Sequence, residues 1–167
     1  GILAIARCNP KETRENIRQI RTMTDKPFGI NQILIGPGAK ENIAVAIEEK
    51  VPVINYSLGK PWFVNDVHAY GGKVVGTIAI AKHAAKAVQL GCDALVITGQ
   101  GPKFFCAGAD LKLFADGDKA RARELARRFG EAFEALRDFR GVSIAAINGY
   151  AMGGGLECAL ACDIRIA

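Results

Sequence analysis

Short, continuous apolar runs rich in Val and Ile, separated by helical patterns, constrain this chain more than any other feature. They occur near 2–6, 28–35, 52–55, 73–80, 93–98, 142–148 and 163–167. Runs that are continuous rather than alternating belong to parallel strands covered on both faces. Helical patterns fall between most of them, near 10–23, 39–49, 61–70, 80–90 and 119–139, with a last helix after the glycines at 153–155. Alternating strands and helices predict an α/β fold of about seven mostly parallel strands. Two architectures satisfy that order, an open doubly wound sheet and an incomplete barrel. The length of 167 residues suits a single domain. Both chain ends fall inside strand-like runs, so both are expected to be cuts.

Local signals sharpen two helices. Asn9 is placed to cap the first, Pro10 suits its first position, and Glu12 sits in its first turn, with Ile17, Ile20 and Met23 at helical spacing. Leu125, Phe129, Phe133 and Leu136 recur along the longest helix as one expected buried stripe.

Charge and cysteine content exclude several function classes. Six arginines between Arg121 and Arg140 are interleaved with Glu124, Glu131, Glu134 and Asp138, a mixed-sign pattern that reads as a solvated helix face. No basic patch carries interleaved aromatics, so nucleic acid is not an expected partner. Cys8, Cys92, Cys106, Cys158 and Cys162 form no C-x-x-C pair, and no histidine shares the segment holding the last two. Reduced, buried thiols in a cytoplasmic protein, with no metal site, are the expectation. No apolar stretch is long enough to span a membrane, and no signal peptide is visible.

Two glycine-rich loops carry the chemistry. The first is Gly101-Pro-Lys-Phe-Phe-Cys-Ala-Gly-Ala-Asp110, and the second is Asn148-Gly-Tyr-Ala-Met-Gly-Gly-Gly-Leu-Glu157. Each follows a strand-like run and leads toward a helix. Such loops leave backbone N–H groups free at a helix N-terminus, where the dipole favours negative charge. Two converging loops could place two donors on one carbonyl oxygen, an oxyanion hole. Glu157, in the first turn after the glycines, could then move a proton at the neighbouring carbon. Either loop alone reads equally well as a tight turn; the pair in this order is more specific.

From about residue 94 to 167 the chain resembles the middle of a crotonase, the enoyl-CoA hydratase/isomerase family. Phe-Cys-Ala-Gly-Ala-Asp-Leu at 105–111, the Asn148–Glu157 loop and the ending Ala-Cys-Asp-Ile-Arg-Ile-Ala carry that resemblance. It implies that the amides of Ala109 and Gly154 are the oxyanion donors and Glu157 the first catalytic glutamate. It also implies that Ala107, Gly108, Asp110 and Leu111 line the coenzyme A site, with acyl-CoA as substrate. The family's second glutamate lies past residue 167, so enolate stabilisation is expected in preference to hydration. Asp110 and Asp163 are expected to be structural and not to replace that glutamate.

Residues 1 to about 98 resemble the nitronate monooxygenase family, also called 2-nitropropane dioxygenases, an FMN-binding TIM barrel. The matching phrases are Ala-Ile-Ala-Arg-Cys-Asn-Pro-Lys-Glu-Thr at 4–13, the run from Thr24 to Asn42, Val-Pro-Val-Ile-Asn-Tyr-Ser-Leu-Gly-Lys at 51–60 and Gly-Cys-Asp-Ala-Leu-Val-Ile-Thr-Gly at 91–99. The resemblance implies that Asn31 and Gln32, placed just after a strand, face the flavin, with Lys82 a weaker candidate. An alternative has Asn31 and Gln32 satisfying loop backbone groups. Where the family has its catalytic histidine, Gln100 and Gly101 stand here; His68 and His83 lie elsewhere and are expected on the surface or in helix packing.

Ala94-Leu-Val-Ile-Thr-Gly99 fits both families, as a buried strand ending in a glycine turn. A chimera joined near residue 98 is therefore expected. Three functions follow: a crotonase-like acyl-CoA enzyme or binder, an FMN-binding barrel fragment, and a recombined chain that folds without catalysing. Exposed apolar edges of an incomplete barrel would favour a homo-oligomer.

Overall fold

The computed structural model describes residues 1–78, 81–115 and 117–167, and for Ala81 and Lys82 the backbone only. Two compact units are present, Gly1–Leu95 and Val96–Ala167.

The first unit contains β1 (Ile2–Ala4), α1 (Pro10–Met23), β2 (Gly29–Ile33), α2 (Ala39–Glu48), β3 (Val53–Ser57), α3 (Val64–Ala69), β4 (Lys73–Ile78) and α4 (Ala81–Gln89). Strands β1 to β4 lie side by side in chain order, each pair parallel, with Gly29 opposite Ile2 and Val53, and Val53 opposite Lys73. A doubly wound sheet reverses its strand order at a switch point. Here nothing reverses, and right-handed crossovers then put successive helices on one face. Of the two architectures expected, this unit has the winding of a barrel.

The helix-facing side of its sheet is closed and largely apolar: Ile30, Ile54 and Val74 are 0% exposed. Helix α1 begins as its sequence dictates. Asn9 Oδ1 accepts from the Glu12 N–H at 2.9 Å and Glu12 Oε2 accepts from the Asn9 N–H at 2.9 Å, a reciprocal cap. Of its expected stripe, Ile17 is buried while Met23 is exposed. Arg14, Arg18 and Arg21 converge on Glu49, just past the end of α2. These arginines tie one helix to the next. His68 on α3 reaches Asp93 at 2.8 Å, and His83 is exposed on α4.

Strand β5 (Ala94–Thr98) crosses the boundary between the units. The second unit continues with β6 (Phe104–Cys106), a 3-10 turn at Leu111–Phe114, α5 (Lys119–Arg137), β7 (Val142–Ala146), β8 (Tyr150–Ala151), α6 (Gly154–Ala161) and β9 (Ile164–Ile166). β7 pairs with β9, and β6 with β8, both in parallel. The α/β class and the seven main parallel strands are as expected.

Three details differ from expectation. Several strands are shorter than their apolar runs, because residues such as Ile5 and Leu34 continue into loops and stay buried there. The expected end of β4 at 79–80 lies outside the described residues. The stripe on α5 is only half-buried at Leu125, Phe129, Phe133 and Leu136. The opposite side of α5 carries ion pairs from Glu124 to Arg127 and Arg128, each at 2.8 Å. Among the described residues no helix is long and apolar enough to cross a membrane.

Asp163 fastens the start of β7 beside β9. Its Oδ2 accepts from the Ser143 N–H at 2.8 Å and from the Ser143 hydroxyl at 2.7 Å. The Ser143 backbone and hydroxyl donors hold this carboxyl below its ordinary value. A carboxyl lowered on folding contributes stability above its unfolded pKa of about 3.9, and that contribution disappears as pH falls through the folded value. Asp163→Asn should therefore melt below the wild type at pH 7, with the gap closing under about pH 4. Melting curves that stay parallel down to pH 2 would remove this role.

Candidate active site

The two glycine loops of the second unit nest against each other through backbone alone. The Tyr150 N–H donates to the Lys103 carbonyl at 3.0 Å, and the Met152 N–H donates to the Cys106 carbonyl at 3.0 Å. These bonds draw the first loop along the second as the short parallel pair β6–β8. The sequence predicts that the two loops converge but not that they form this strand pair. Its strands are too short for an apolar period to register, although the aromatics at Phe104 and Tyr150, whose rings are 5.8 Å apart, gave a weak signal.

Contact this close requires glycine at position 155. A methyl group there would lie 2.2 Å from the Cys106 carbonyl oxygen and 2.7 Å from Cys106 Cβ. Helix α6 can therefore start against β6 only without a side chain at that point. Two further glycines aim the amides. Gly108 (φ 99°) immediately precedes Ala109, and Gly153 (φ 50°) immediately precedes Gly154; side-chain-bearing residues seldom adopt such angles.

The result is a convergence of the three residues expected to do chemistry. A point one bond out from Gly154 Cα lies 3.9 Å from the Ala109 amide nitrogen and 3.8 Å from Glu157 Oε2. Gly154 itself is the first residue of α6, where the N–H has no intrahelical acceptor. Among the described residues, neither the Ala109 nor the Gly154 N–H donates to a protein acceptor. The positive end of the α6 dipole reinforces both donors. Glu157 is exposed in the first turn of the same helix.

Around this point, Ala107 is exposed and Gly108 half-buried. Leu111 is 79% exposed, a bare apolar side chain beside the first loop. Asp110 Oδ1 accepts from the Lys112 N–H at 3.0 Å and caps the 3-10 turn. Asp110 and Asp163 thus both make structural hydrogen bonds. A concavity of about 600 Å³ lies toward the other end of the β6–β8 pair, lined by Pro102, Lys103, Gly149, Tyr150 and Ala151. Ala109, Gly154 and Glu157 do not line it.

The cysteines are free, with Cys92 and Cys162 buried. Burial pushes the Cys162 thiol up to about 11, which leaves it a poor nucleophile near neutral pH. Cys158 is raised for the same reason, helped by its neighbour Cys106.

In the first unit, the pair expected to face a flavin is split. Asn31 and Gln32 lie within β2 and not after it, and consecutive strand residues point to opposite faces. Gln32 is 0% exposed on the helix side, where its Oε1 accepts from Asn42 Nδ2 at 3.4 Å. Asn42 in turn binds the Cys8 carbonyl at 2.9 Å and Thr13 Oγ1 at 3.1 Å. Gln32 is a member of a buried polar network and cannot face a ligand. Asn31 lies on the other face, in a ladder where Asn55 Nδ2 donates to Asn31 Oδ1 at 2.8 Å and Thr77 Oγ1 donates to Asn55 Oδ1 at 3.1 Å. The two residues therefore do not fit a shared flavin contact. The Lys82 side chain lies outside the described residues.

Paired substitutions test the nesting. Gly155→Ala should destabilise the chain by about 1–3 kcal/mol through overpacking. Gly130→Ala, inside α5 with nothing within 4 Å of the added methyl, should stabilise it by about 0.5–1 kcal/mol. Urea unfolding measures both, and equal effects would remove the close-approach argument.

Comparison with known proteins agrees with the geometry of the second unit. Residues 85–167 match the family model described as enoyl-CoA hydratase/isomerase. The crotonyl-CoA hydratase of Syntrophomonas wolfei is 35% identical over 131 residues, which cover 77% of this chain and 47% of that protein. The chain thus spans about half the length of this curated relative. Among solved structures, FabK from Thermotoga maritima is 28% identical with a TM-score of 0.68, over 99% of this chain and 49% of that one. Nitroalkane oxidase from Streptomyces ansochromogenes, 16% identical with a TM-score of 0.61, shares the fold over 100% of this chain and 57% of its own. Residues 85–167 are therefore similar to the enoyl-CoA hydratase/isomerase family.

Proposed function

We propose that the second unit binds the thioester carbonyl of an acyl-CoA and stabilises the enolate formed when its α-carbon loses a proton. The observation that carries this reading is the convergence of Ala109 N, Gly154 and Glu157 Oε2 around one point. In this scheme the Ala109 and Gly154 N–H groups donate to the carbonyl oxygen. Glu157 takes the α-proton, and the electron pair of the broken C–H bond moves onto that oxygen as the enolate. Returning the proton from Glu157 restores the thioester. The donors are held by backbone, so they need no reorganisation as charge develops. Ala107, Gly108, Asp110 and Leu111 flank the same loop and are proposed to line the coenzyme A portion. The match to the hydratase/isomerase family model supports the substrate class.

A second reading concerns residues 1–98. Their consecutive parallel strand order favours a barrel-type segment, and the likeness to FabK agrees with that winding. No flavin step is derived from it, because Gln32 is turned into the core.

Deuterium exchange at the α-carbon of butyryl-CoA tests the main proposal. Glu157→Gln should slow exchange by about 10²–10⁴-fold, the usual contribution of a positioned base. Exchange that persists at the wild-type rate would take Glu157 out of the mechanism.

A further inference from the structure

The β6–β8 pair that spaces the two amides is too short to hold its own register. β6 has 3 residues and β8 has 2, and the pairing carries an irregularity between Phe104 and Cys106. A slip of one residue along such a pair would turn the following amides to the other side. Something outside the ladder must set the register.

Asn148, two residues before β8, is placed to do so. Its Oδ1 accepts from the Gly99 N–H at 2.9 Å and from Thr98 Oγ1 at 3.2 Å. Its Nδ2 donates to the Gly99 carbonyl at 3.0 Å and to the Gly101 carbonyl at 2.5 Å. One amide side chain thus grips the entrance of the first loop by both its donor and acceptor ends, from the entrance of the second. The next residue, Gly149, sits so close to the first loop that a methyl there would lie 2.4 Å from the Lys103 carbonyl oxygen. The grip at 148 and the approach at 149 together leave β8 one position along β6.

We infer that Asn148 is a positioning residue for the oxyanion hole, setting the spacing between the Ala109 and Gly154 amides through the register of β6 and β8. The inference rests on the acyl thioester reading. It assigns Asn148 no contact with substrate, so its loss should change the response of the carbonyl more than the binding of coenzyme A.

Asn148→Asp is the informative change. It keeps the acceptor and replaces the donor with an oxygen that repels the Gly99 and Gly101 carbonyls. The full chain and its variant are titrated with butyryl-CoA carrying ¹³C at the carbonyl. The carbonyl stretch, the Kd and the α-proton exchange rate are read on each. The expected result is an unchanged Kd, loss of the lowered carbonyl stretch, and exchange slower by about 10²-fold, the size of an ångström-scale misplacement. A variant that keeps both the wild-type stretch and the wild-type rate overturns the inference and leaves the functional reading standing. A wild-type chain that neither lowers the stretch nor exchanges the proton overturns the functional reading, and this inference with it. If Asn148→Asp is unfolded at the assay temperature, Thr98→Val is read instead. It removes one of the bonds to Oδ1 and should slow exchange about fivefold, and an unchanged rate and stretch would overturn the inference.

Discussion

The second unit depends on backbone touching backbone between its two glycine loops. The Lys103 and Cys106 carbonyls receive the Tyr150 and Met152 amides at 3.0 Å each, and the start of α6 rests on Cys106 where a methyl could not fit. Apolar burial alone would not bring two loops together in one register, because it is non-directional. Hydrogen bonds and absent side chains do so here. The core under the loops, with Phe105, Ala145, Ala159 and Cys162 all buried, supplies the cohesion that the loops themselves lack. The proposed function rests on the same contact. Amides held by the fold stay unpaired and aimed, ready for charge that develops on a ligand.

The two units share one device for starting a strand. Asp93 precedes β5, accepts the Val74 N–H at 2.8 Å, and returns its own N–H to the Val74 carbonyl at 2.9 Å. Asp163 precedes β9, accepts the Ser143 N–H at 2.8 Å, and gives its own N–H to the Ser143 hydroxyl at 3.0 Å. In each case a buried cysteine comes just before the aspartate. Burial pushes the Asp93 carboxyl up, but the Val74 N–H, Lys73 and His68 together outweigh it and leave the group below its ordinary value.

Much of this was legible in the residues. Apolar runs and caps located all the main strands and helices, since each depends on local periodicity and on groups a few residues apart, such as Asn9 and Glu12. The Ala109, Gly154 and Glu157 set was expected from the resemblance of two compact loops to the crotonase family, and the fold brings these residues near one point. What escaped notice depends on contacts between distant segments. The β6–β8 pair joins residues more than 40 apart in sequence. Which face of β2 takes Gln32 was decided by Asn42 on α2 and by Thr13 on α1, neither of which a single strand reveals. The α5 stripe has helical spacing, but spacing alone does not say how fully a face is covered. In the sequence Asn148 stands only as the first residue of the second loop; its bonds to the Gly99 and Gly101 carbonyls appear only in the fold.

The most direct test of the central claim follows the two backbone amides themselves. In ¹⁵N-resolved NMR spectra of the full chain, butyryl-CoA should move the Ala109 and Gly154 N–H resonances together and downfield, as both begin to donate to one carbonyl oxygen. Resonances that stay in place while coenzyme A binds elsewhere, or a shift in only one of the two, would contradict a shared oxyanion site.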